Sequence, residues 1–500
     1  MSKNSVIVSV FSNWASLVLA VVMAFFVSPI LVNQLGDESY GIWVIIVSLT
    51  GYFTVLDFGV NTAIVRFISK YTALKDYKKA IETYSSSFAL FSIIGAVVVI
   101  ITAVFAVFFK DVFEIKSFSR EYLYIVFFIV GVDLALNLVF SVLMGTLRGL
   151  QRFFEINVIS MTVSLTKNIL LVYLLYQGYS LMMLAALQVS ASIIKFSLQY
   201  LYIRKNYSFL KFKTTSINKE TLKSLYNYSV YSFLIAIATK VLFFTDSIVI
   251  GSLINVSQVT YYAIPAMIVE YLEKLIWAIV SVLIPIISSQ EAVGQCNKNQ
   301  QLYLVGTKYT LMLLSPIIFV LYLVGDDFIG MWMGGNYAVP SGNVLCILLA
   351  GHAFFLSQLI AHGILKGISK HKVLAFILCG EAVLNLGVSV VLAPHFGVQG
   401  VALGTAIPLF IVNAFLLPYY TCKELGINYF NYLFKGILQP FIYLLIPLFI
   451  FYYLQISVSS YLELIIFSAI VAMVYGVFAL FFVLEKEHSR RIFCIFSKGP

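Results

Sequence analysis

Fourteen long apolar stretches, separated by short polar gaps, follow one another along this 500-residue chain. A helix needs about 20 apolar residues to cross roughly 30 Å of hydrocarbon, and every stretch is long enough to do so. The stretches cover residues 6–32, 42–68, 83–109, 122–147, 156–176, 179–203, 226–253, 258–287, 301–324, 342–365, 373–393, 400–420, 433–456 and 460–484. The pattern predicts an all-α polytopic membrane protein with about fourteen transmembrane helices and no sizeable soluble domain.

The composition is typical of a protein whose solvent is the bilayer. Hydrophobic residues make up 61% of the chain and charged residues 11%, and the mean hydropathy is +0.97. The formal net charge of +10 comes from basic residues spread over short gaps, so we expect no nucleic-acid partner. Five cysteines without C-x-x-C spacing, and the lack of a glycine-rich nucleotide loop, predict that the protein holds neither a metal nor a cofactor.

Lysine and arginine alternate between rich and poor gaps along the chain. The rich gaps include residues 70–79, 204–223 and 486–498, with four to six basic residues each, whereas the poor gaps together hold only Lys110, Lys116 and Arg120. Basic loops stay on the cytoplasmic side during membrane insertion. We therefore expect a multi-pass protein of the cell inner (plasma) membrane with both termini in the cytoplasm.

One sequence motif occurs twice at equivalent places in the helix order. Residues 145–152 read Gly-Thr-Leu-Arg-Gly-Leu-Gln-Arg, and residues 363–370 read Gly-Ile-Leu-Lys-Gly-Ile-Ser-Lys, 218 positions later. Two further matches keep a similar interval, namely Asn168 with Asn385 and Gln177-Gly178 with Gln399-Gly400. Such matches in register predict parallel six-helix repeats, as found in transporters with two lobes.

The repeats predict how the chain is divided. We expect an N-terminal lobe of helices one to six over residues 1–215 and a C-terminal lobe of helices seven to twelve over residues 216–430. Residues 431–500 would add helices thirteen and fourteen and a cytoplasmic tail.

Several short motifs carry a family resemblance. They are Leu35-Gly36-Asp37-Glu38-Ser39-Tyr40-Gly41, Asp57-Phe58-Gly59, Arg66, Asp246-Ser-Ile-Val-Ile-Gly251, Tyr261-Tyr262 and Pro285. The chain resembles the Wzx-type flippases of polysaccharide biosynthesis, which move lipid-linked oligosaccharides. These proteins belong to the MOP superfamily, which also contains the MATE exporters and the lipid II flippases.

The resemblance implies both a fold and a function. It implies two six-helix lobes around a central cavity that opens alternately to each side, and a transporter rather than an enzyme. The implied cargo is an undecaprenyl-diphosphate-linked oligosaccharide, the repeat unit of an O-antigen or a capsule. Besides this substrate, membrane lipids, a polysaccharide polymerase and a chain-length regulator are the partners that it implies.

Two other functions remain open from the sequence. A MATE-like exporter of small organic cations has the same architecture, but fourteen helices and central lysines favour an anionic cargo. A membrane enzyme such as a polysaccharide polymerase or glycosyltransferase would need a large extramembrane region. The longest gaps on the external side, at about 110–121 and 325–341, are short.

Ten ionisable side chains fall well inside the predicted spans. They are Asp57, Asp133, Lys167, Lys195, Lys240, Asp246, Glu270, Glu273, Lys274 and Glu381. Each would cost about 2.5–3.5 kcal/mol if it faced lipid, so most must face protein or water. Glu270 and Lys274 are four residues apart on one helix, in the order that favours an intrahelical ion pair.

The basic residues are candidate ligands for a diphosphate, because burying that anion without a countercharge is prohibitive. We expect Lys240 and Lys167, near the middle of their helices, to line a substrate cavity. Arg66, near the cytoplasmic end of helix two, would capture a headgroup at the membrane surface. Snorkelling to the interface is the alternative for Arg66 and the expectation for Lys195.

Three of the carboxylates are candidates for coupling or gating. Asp57, Asp133 and Glu381 lie within apolar helices, where a carboxylate that responds to protons or sodium could sit. Each also has a structural alternative, namely a polar contact with a neighbouring helix. For Asp133 that contact would involve Asn137, one turn further along the helix.

The charge asymmetry makes the topology testable. Reporter fusions truncated after Gly178 and after Pro394 should report the external side, and fusions after Arg152 and Lys372 should report the cytoplasm. Alkaline phosphatase and fluorescent-protein reporters measure the two sides. A reversed result for either pair would contradict the predicted orientation.

Overall fold

The computed structural model describes residues 3–57, 59–226, 230–438, 451–453 and 456–479, together with residues 442, 445 and 449. All regular elements in these ranges are helical. Eleven helices within them are long and apolar enough to cross a membrane. The predicted class, an all-α polytopic membrane protein, is confirmed.

The chain divides into two compact units, Met1–Thr260 and Tyr261–Pro500. The helices of the first unit are α1 (Lys3–Leu35), α2 (Asp37–Tyr52), α3 (Val60–Ala73), α4 (Tyr77–Val112), α5 (Arg120–Gly149), α6 (Phe153–Tyr176), α7 (Leu181–Asn206), α8 (Lys219–Tyr226) and α9 (Val230–Leu253). Buried apolar side chains of α3, α4 and α5, among them Ile64, Phe91 and Val142, form its core.

The second unit begins within α10, which crosses the boundary. Its helices are α10 (Gln258–Ala292), α11 (Cys296–Met333), α12 (Gly335–Gly367), α13 (His371–Ile411), α14 (Leu417–Leu425), α15 (Tyr429–Tyr432) and α16 (Tyr461–Phe478). Two π-helical segments, Val412–Leu416 and Leu433–Leu438, join its later helices. Phe319 of α11 packs against Tyr475 of α16.

Each predicted span except 433–456 is occupied, over its described residues, mostly by one or more helices. Span 433–456 includes the segment Leu433–Leu438, but many of its later residues lie outside the described ranges. Spans 373–393 and 400–420 form one helical hairpin, because the chain leaves the helical conformation at Gly397, where φ is 58°. Asn385 on one arm of the hairpin donates a hydrogen bond of 2.9 Å to Thr405 on the other.

The second predicted span is not one continuous helix. After α2 the chain forms a 3₁₀ turn, Phe53–Asp57, and α3 begins beyond Gly59, whose φ of 75° lies in the left-handed region. Glycine adopts this conformation without the steric cost that other residues meet. The break places Asp57 at the end of a turn rather than in the middle of a helix.

The first unit contains one membrane-spanning helix more than the predicted N-terminal lobe. The lobe boundary was predicted at residue 215, whereas the first unit extends to Thr260 and includes α9. The two units are defined by which residues pack together, whereas the two lobes are defined by the sequence repeat. The two divisions therefore need not have the same boundary. The lobe boundaries stay a prediction that superposition of the two repeats would test.

Backbone conformation recurs at the interval of the sequence repeat. Four pairs of residues with positive φ are 218 to 220 positions apart: Lys75 and Gly294, Glu114 and Gly334, Gln151 and Ser369, and Gly178 and Gly397. Each pair marks the end of an equivalent helix in the predicted repeats. The partner of Gly178 is thus Gly397, and the sequence match of Gln177-Gly178 with Gln399-Gly400 was wrong by three positions.

The repeated motif forms the same turn both times. Gln151 and Ser369 have φ angles of 60° and 61°. The next residue, Arg152 or Lys370, donates its backbone N–H to the carbonyl five residues before it, at 2.9 and 2.8 Å. This is the hydrogen-bond pattern of a helix end closed by a left-handed residue. The turn supports the predicted parallel repeats.

We expect glycine to be favoured at both left-handed positions. Gln151→Gly and Ser369→Gly should each be more stable than the corresponding alanine variant by about 1 kcal/mol, because a Cβ atom is strained in this conformation. Both side chains are exposed, so little packing is lost. Unfolding of the purified variants in detergent measures the difference. Equal stability of glycine and alanine at either position would contradict the shared turn.

Candidate functional site

A polar cluster joins α5, α6 and α7 of the first unit. Its members, called the α5–α7 cluster below, are Asp133 and Asn137 on α5, Lys167 on α6, and Gln188, Ser192 and Lys195 on α7. Lys167 donates from Nζ to Oε1 of Gln188 at 2.9 Å. Lys195 donates from Nζ to Oδ1 of Asn137 at 3.2 Å. Each ammonium is therefore bonded to an amide oxygen of a neighbouring helix.

Asp133 supplies the negative charge of the α5–α7 cluster. Its side chain is buried, with 7% of its surface exposed, and its Oδ1 atom has no hydrogen-bond partner within the described structure. Its carboxylate attracts the ammonium groups of both Lys167 and Lys195. Two cations thus share one anion, which leaves the cluster with a net positive charge.

Amide and hydroxyl groups hold the α5–α7 cluster together. Asn137 donates from Nδ2 to the backbone carbonyl of Asp133 at 2.8 Å and to Oγ of Ser192 at 3.2 Å. The contact expected for Asn137 with a neighbouring helix is thus present. Lys195 does not snorkel, since its Nζ lies beside Asn137 and 4.4 Å from the ring centroid of Phe196. The snorkelling expectation for Lys195 was wrong.

Lys240 lies on α9, a helix that contributes no member to the α5–α7 cluster. Its Nζ atom is 4.7 Å from the ring centroid of Phe244, one turn further along the same helix. The ring of Phe244 in turn lies against Gly51 of α2, so closely that a Cβ atom there would be 2.9 Å from it. Lys240 is therefore next to the contact between α2 and α9.

Asp57 and Arg66 lie on different elements from the α5–α7 cluster. Asp57 accepts hydrogen bonds at Oδ1 from the backbone N–H of Asn61 at 3.2 Å and from its side-chain amide at 3.1 Å. These bonds stabilise the first turn of α3, as a capping carboxylate does. Arg66 lies further along α3 with an exposed side chain. For both residues, the functional roles stay predictions.

Glu381 belongs to a second buried polar group, inside the α13 hairpin. Only 1% of its surface is exposed, and its Oε1 atom accepts a hydrogen bond of 2.9 Å from Asn413. Asn413 lies in the π-helical segment Val412–Leu416, and such bulges are frequent at functional sites. Oε2 of Glu381 has no hydrogen-bond partner within the described residues.

Two members of the α5–α7 cluster have polar counterparts in the second repeat. At an interval of 218 residues, one more than the interval that pairs Asn168 with Asn385, Lys167 corresponds to Asn385 and Lys195 to Asn413. The first group carries lysines where the second carries amides. Sequence reasoning named Lys195 but assigned it to the interface, and it missed Asn413, although comparing polar residues at the repeat interval would have found the two as a pair.

The shared countercharge can be tested by a double-mutant cycle. Asp133→Asn should destabilise the protein, because two ammonium groups then lack an anion, and Lys195→Met should restore part of the loss. We expect a coupling energy of about 1 kcal/mol. Unfolding of the purified proteins in detergent measures it. Lys205→Met, an exposed substitution at the end of α7, serves as the control. Additive effects of Asp133→Asn and Lys195→Met would refute the shared anion.

Comparison with known proteins identifies the family. A family model described as "Polysaccharide biosynthesis protein" matches residues 7–291. A Shigella flexneri protein, named as a candidate O-antigen transporter, is 24% identical over 393 residues, which are 78% of this chain and 91% of that protein.

The solved structure of the lipid II flippase MurJ, in an inward closed conformation, has a TM-score of 0.74 at 15% identity, and the match covers 95% of this chain and 98% of the MurJ chain. An inward-facing MATE multidrug resistance transporter of the MOP superfamily has a TM-score of 0.71 at 14% identity, covering 81% and 94%. The chain belongs to the polysaccharide biosynthesis protein family and has the fold of MOP superfamily transporters.

Proposed function

We propose that this protein is a flippase that moves an undecaprenyl-diphosphate-linked oligosaccharide across the inner membrane by alternating access. The cargo would be the repeat unit of an O-antigen or a capsule. Family membership and the O-antigen transporter name of the Shigella flexneri relative support transport of such a lipid-linked glycan. The family match and the name of this relative are both consistent with a role in transport rather than catalysis.

The observation that carries the proposal is the positive charge inside the apolar part of the first unit. The α5–α7 cluster contains two lysines and one carboxylate, so an anion entering its surroundings would gain a countercharge. Diphosphate needs such compensation, since its transfer from water to a low-dielectric region is otherwise prohibitive. An exporter of organic cations needs a negatively charged binding site instead. We propose that Lys167 and Lys240 contact the diphosphate and that Arg66 attracts it from the cytoplasmic surface.

Alternating access requires a contact between the repeats that can open. By the repeat interval, α9 is the first helix of the second repeat, and it packs within the first unit against α2 of the first repeat. Three close approaches form this contact, called the α2–α9 seam: Gly41 with Val256 just beyond the end of α9, Ile45 with Gly251, and Gly51 with Phe244. The hydroxyl groups of Tyr52 and Thr245 also form a hydrogen bond across it. Both helices approach the predicted external side at Gly41 and Gly251. We propose that the seam separates when the protein opens outward.

A disulfide across the α2–α9 seam tests both the cargo and the mechanism. A Cβ atom at Gly251 would lie 3.3 Å from Cγ1 of Ile45, close to the geometry that a disulfide needs. In a background without the five native cysteines, Ile45→Cys with Gly251→Cys should stop export when oxidised. Surface polysaccharide should fall and lipid-linked oligosaccharide should accumulate in the inner leaflet. Reduction should restore both, because the seam can open again.

A second cysteine pair serves as the matched control. Gly95→Cys with Val139→Cys joins α4 and α5 inside the first repeat, where a Cβ atom on Gly95 would lie 2.9 Å from Cγ2 of Val139. Oxidation of this pair should leave export unchanged. Normal export by a fully cross-linked seam would contradict alternating access through the seam. Normal surface glycan in a strain that lacks the gene would contradict the proposed cargo.

A further inference from the structure

The middle of α10 carries a polar face that the proposed mechanism has not used. Glu270, Glu273, Lys274 and Trp277 are spaced three and four residues apart, so they share one side of the helix. Glu270 and Lys274 form the expected ion pair, with 2.8 Å between Oε1 and Nζ, and their side chains are 54% and 45% exposed. Charged groups exposed at this depth require water or a polar ligand. This face of α10 is therefore suited to a polar cargo.

Trp277 is held in place on this face by three side chains. Its Nε1 atom donates a hydrogen bond of 3.2 Å to Oε1 of Glu273. From α12, the ammonium of Lys366 lies 4.5 Å from the ring centroid of the indole, and the ring of His362 meets it edge-on at 6.4 Å. The indole is nevertheless only partly buried. We call Glu273, Trp277, His362 and Lys366 the Trp277 cluster.

One polar atom of the Trp277 cluster is left without a protein partner. His362 is buried, with 4% of its surface exposed, and its Nε2 atom has no hydrogen-bond partner within the described part of the chain. A buried polar group in this state is costly unless a ligand or water satisfies it. This observation is independent of the exposed charges on α10. It indicates that the cluster is incomplete in the protein alone.

The chemistry of the Trp277 cluster fits a sugar ring. A partly exposed indole offers a flat apolar face to the C–H groups of a pyranose, and a carboxylate fixed beside it accepts hydrogen bonds from sugar hydroxyls. The charges of Glu270, Glu273, Lys274 and Lys366 cancel, so the site has no net attraction for a dianion such as diphosphate. It therefore differs in kind from the net positive α5–α7 cluster.

We propose that the Trp277 cluster is a sugar-binding subsite for the oligosaccharide headgroup of the cargo, an inference that rests on the proposed flippase function. Trp277 stacks against one sugar ring, and Glu273 accepts hydrogen bonds from its hydroxyls. Lys366 lies near the predicted cytoplasmic end of α12, so the subsite is placed where a headgroup would enter from the cytoplasm. The subsite would select the cargo by its sugars, independently of the diphosphate.

Direct binding tests the subsite. The probe is the lipid-free oligosaccharide released by mild acid from the host's own lipid-linked intermediate, titrated against the purified full-length protein in nanodiscs. Saturation-transfer NMR gives the affinity per folded molecule. Trp277→Ala should weaken binding about tenfold or more, whereas Trp277→Phe, which keeps an aromatic face, should retain most of it. Glu273→Gln should weaken binding less than Trp277→Ala, because an amide oxygen still accepts hydrogen bonds.

Controls separate this subsite from a structural role and from the flippase proposal. Trp14→Ala removes an exposed tryptophan from α1 and should bind the probe as the unmodified protein does. Inorganic pyrophosphate should bind equally to Trp277→Ala and the unmodified protein. Unchanged oligosaccharide affinity in folded Trp277→Ala would overturn the subsite while leaving the flippase proposal intact. If surface glycan is normal without the gene and the unmodified protein does not bind the probe, the flippase proposal fails with it.

Discussion

The cost of placing an unsatisfied polar group in hydrocarbon governs this structure. Helices satisfy their own backbone groups, which is why the described elements are helical from α1 to α16. The same cost applies to side chains, and here it is met by neighbours rather than by water at the interface. Lys195 is long enough to snorkel, yet it bonds to Asn137. Intramembrane polar groups therefore occur as clusters, each with several helices contributing one or two members.

The repeat supplies one scaffold on which two kinds of cluster have been built. The turns at Gln151 and Ser369 have the same backbone conformation and hydrogen bonds, so the main chain follows the same path at these points. The side chains differ in charge, with Lys195 in the first repeat where Asn413 stands in the second. An anionic cargo needs cations on its path, but only where the charged part passes. Because equivalent helices of the two repeats carry different side chains on the same backbone path, one region can be cationic while the other is neutral.

The helices could be predicted from the sequence because long apolar stretches mark the segments that enter the membrane. The break between α2 and α3 could not, since most of its residues are as apolar as those of a continuous span and the left-handed conformation of Gly59 leaves no signal in hydropathy. The candidate residues could be identified because they are charged. Their partners could not, because which side chains meet depends on how each helix is rotated about its axis. Neutral partners such as Gln188 have no charge to attract notice. The match of Gly178 with Gly400 was misplaced for a related reason. It was based on residue identity, whereas the turn equivalent to Gly178 is marked by the backbone conformation of Gly397.

The α2–α9 seam shows why a contact that must open can also be close. At Gly41, α2 lies against the backbone of Val256, just beyond the end of α9, and at Gly251, α9 lies against the apolar side chain of Ile45. Dispersion contacts of this kind are individually small, and the hydroxyl groups of Tyr52 and Thr245, which form a hydrogen bond across the seam, carry no charge. A buried ion pair at the same place would cost several kcal/mol to break. The charges that the cargo needs therefore belong beside the moving contact, as Lys240 is, and not within it.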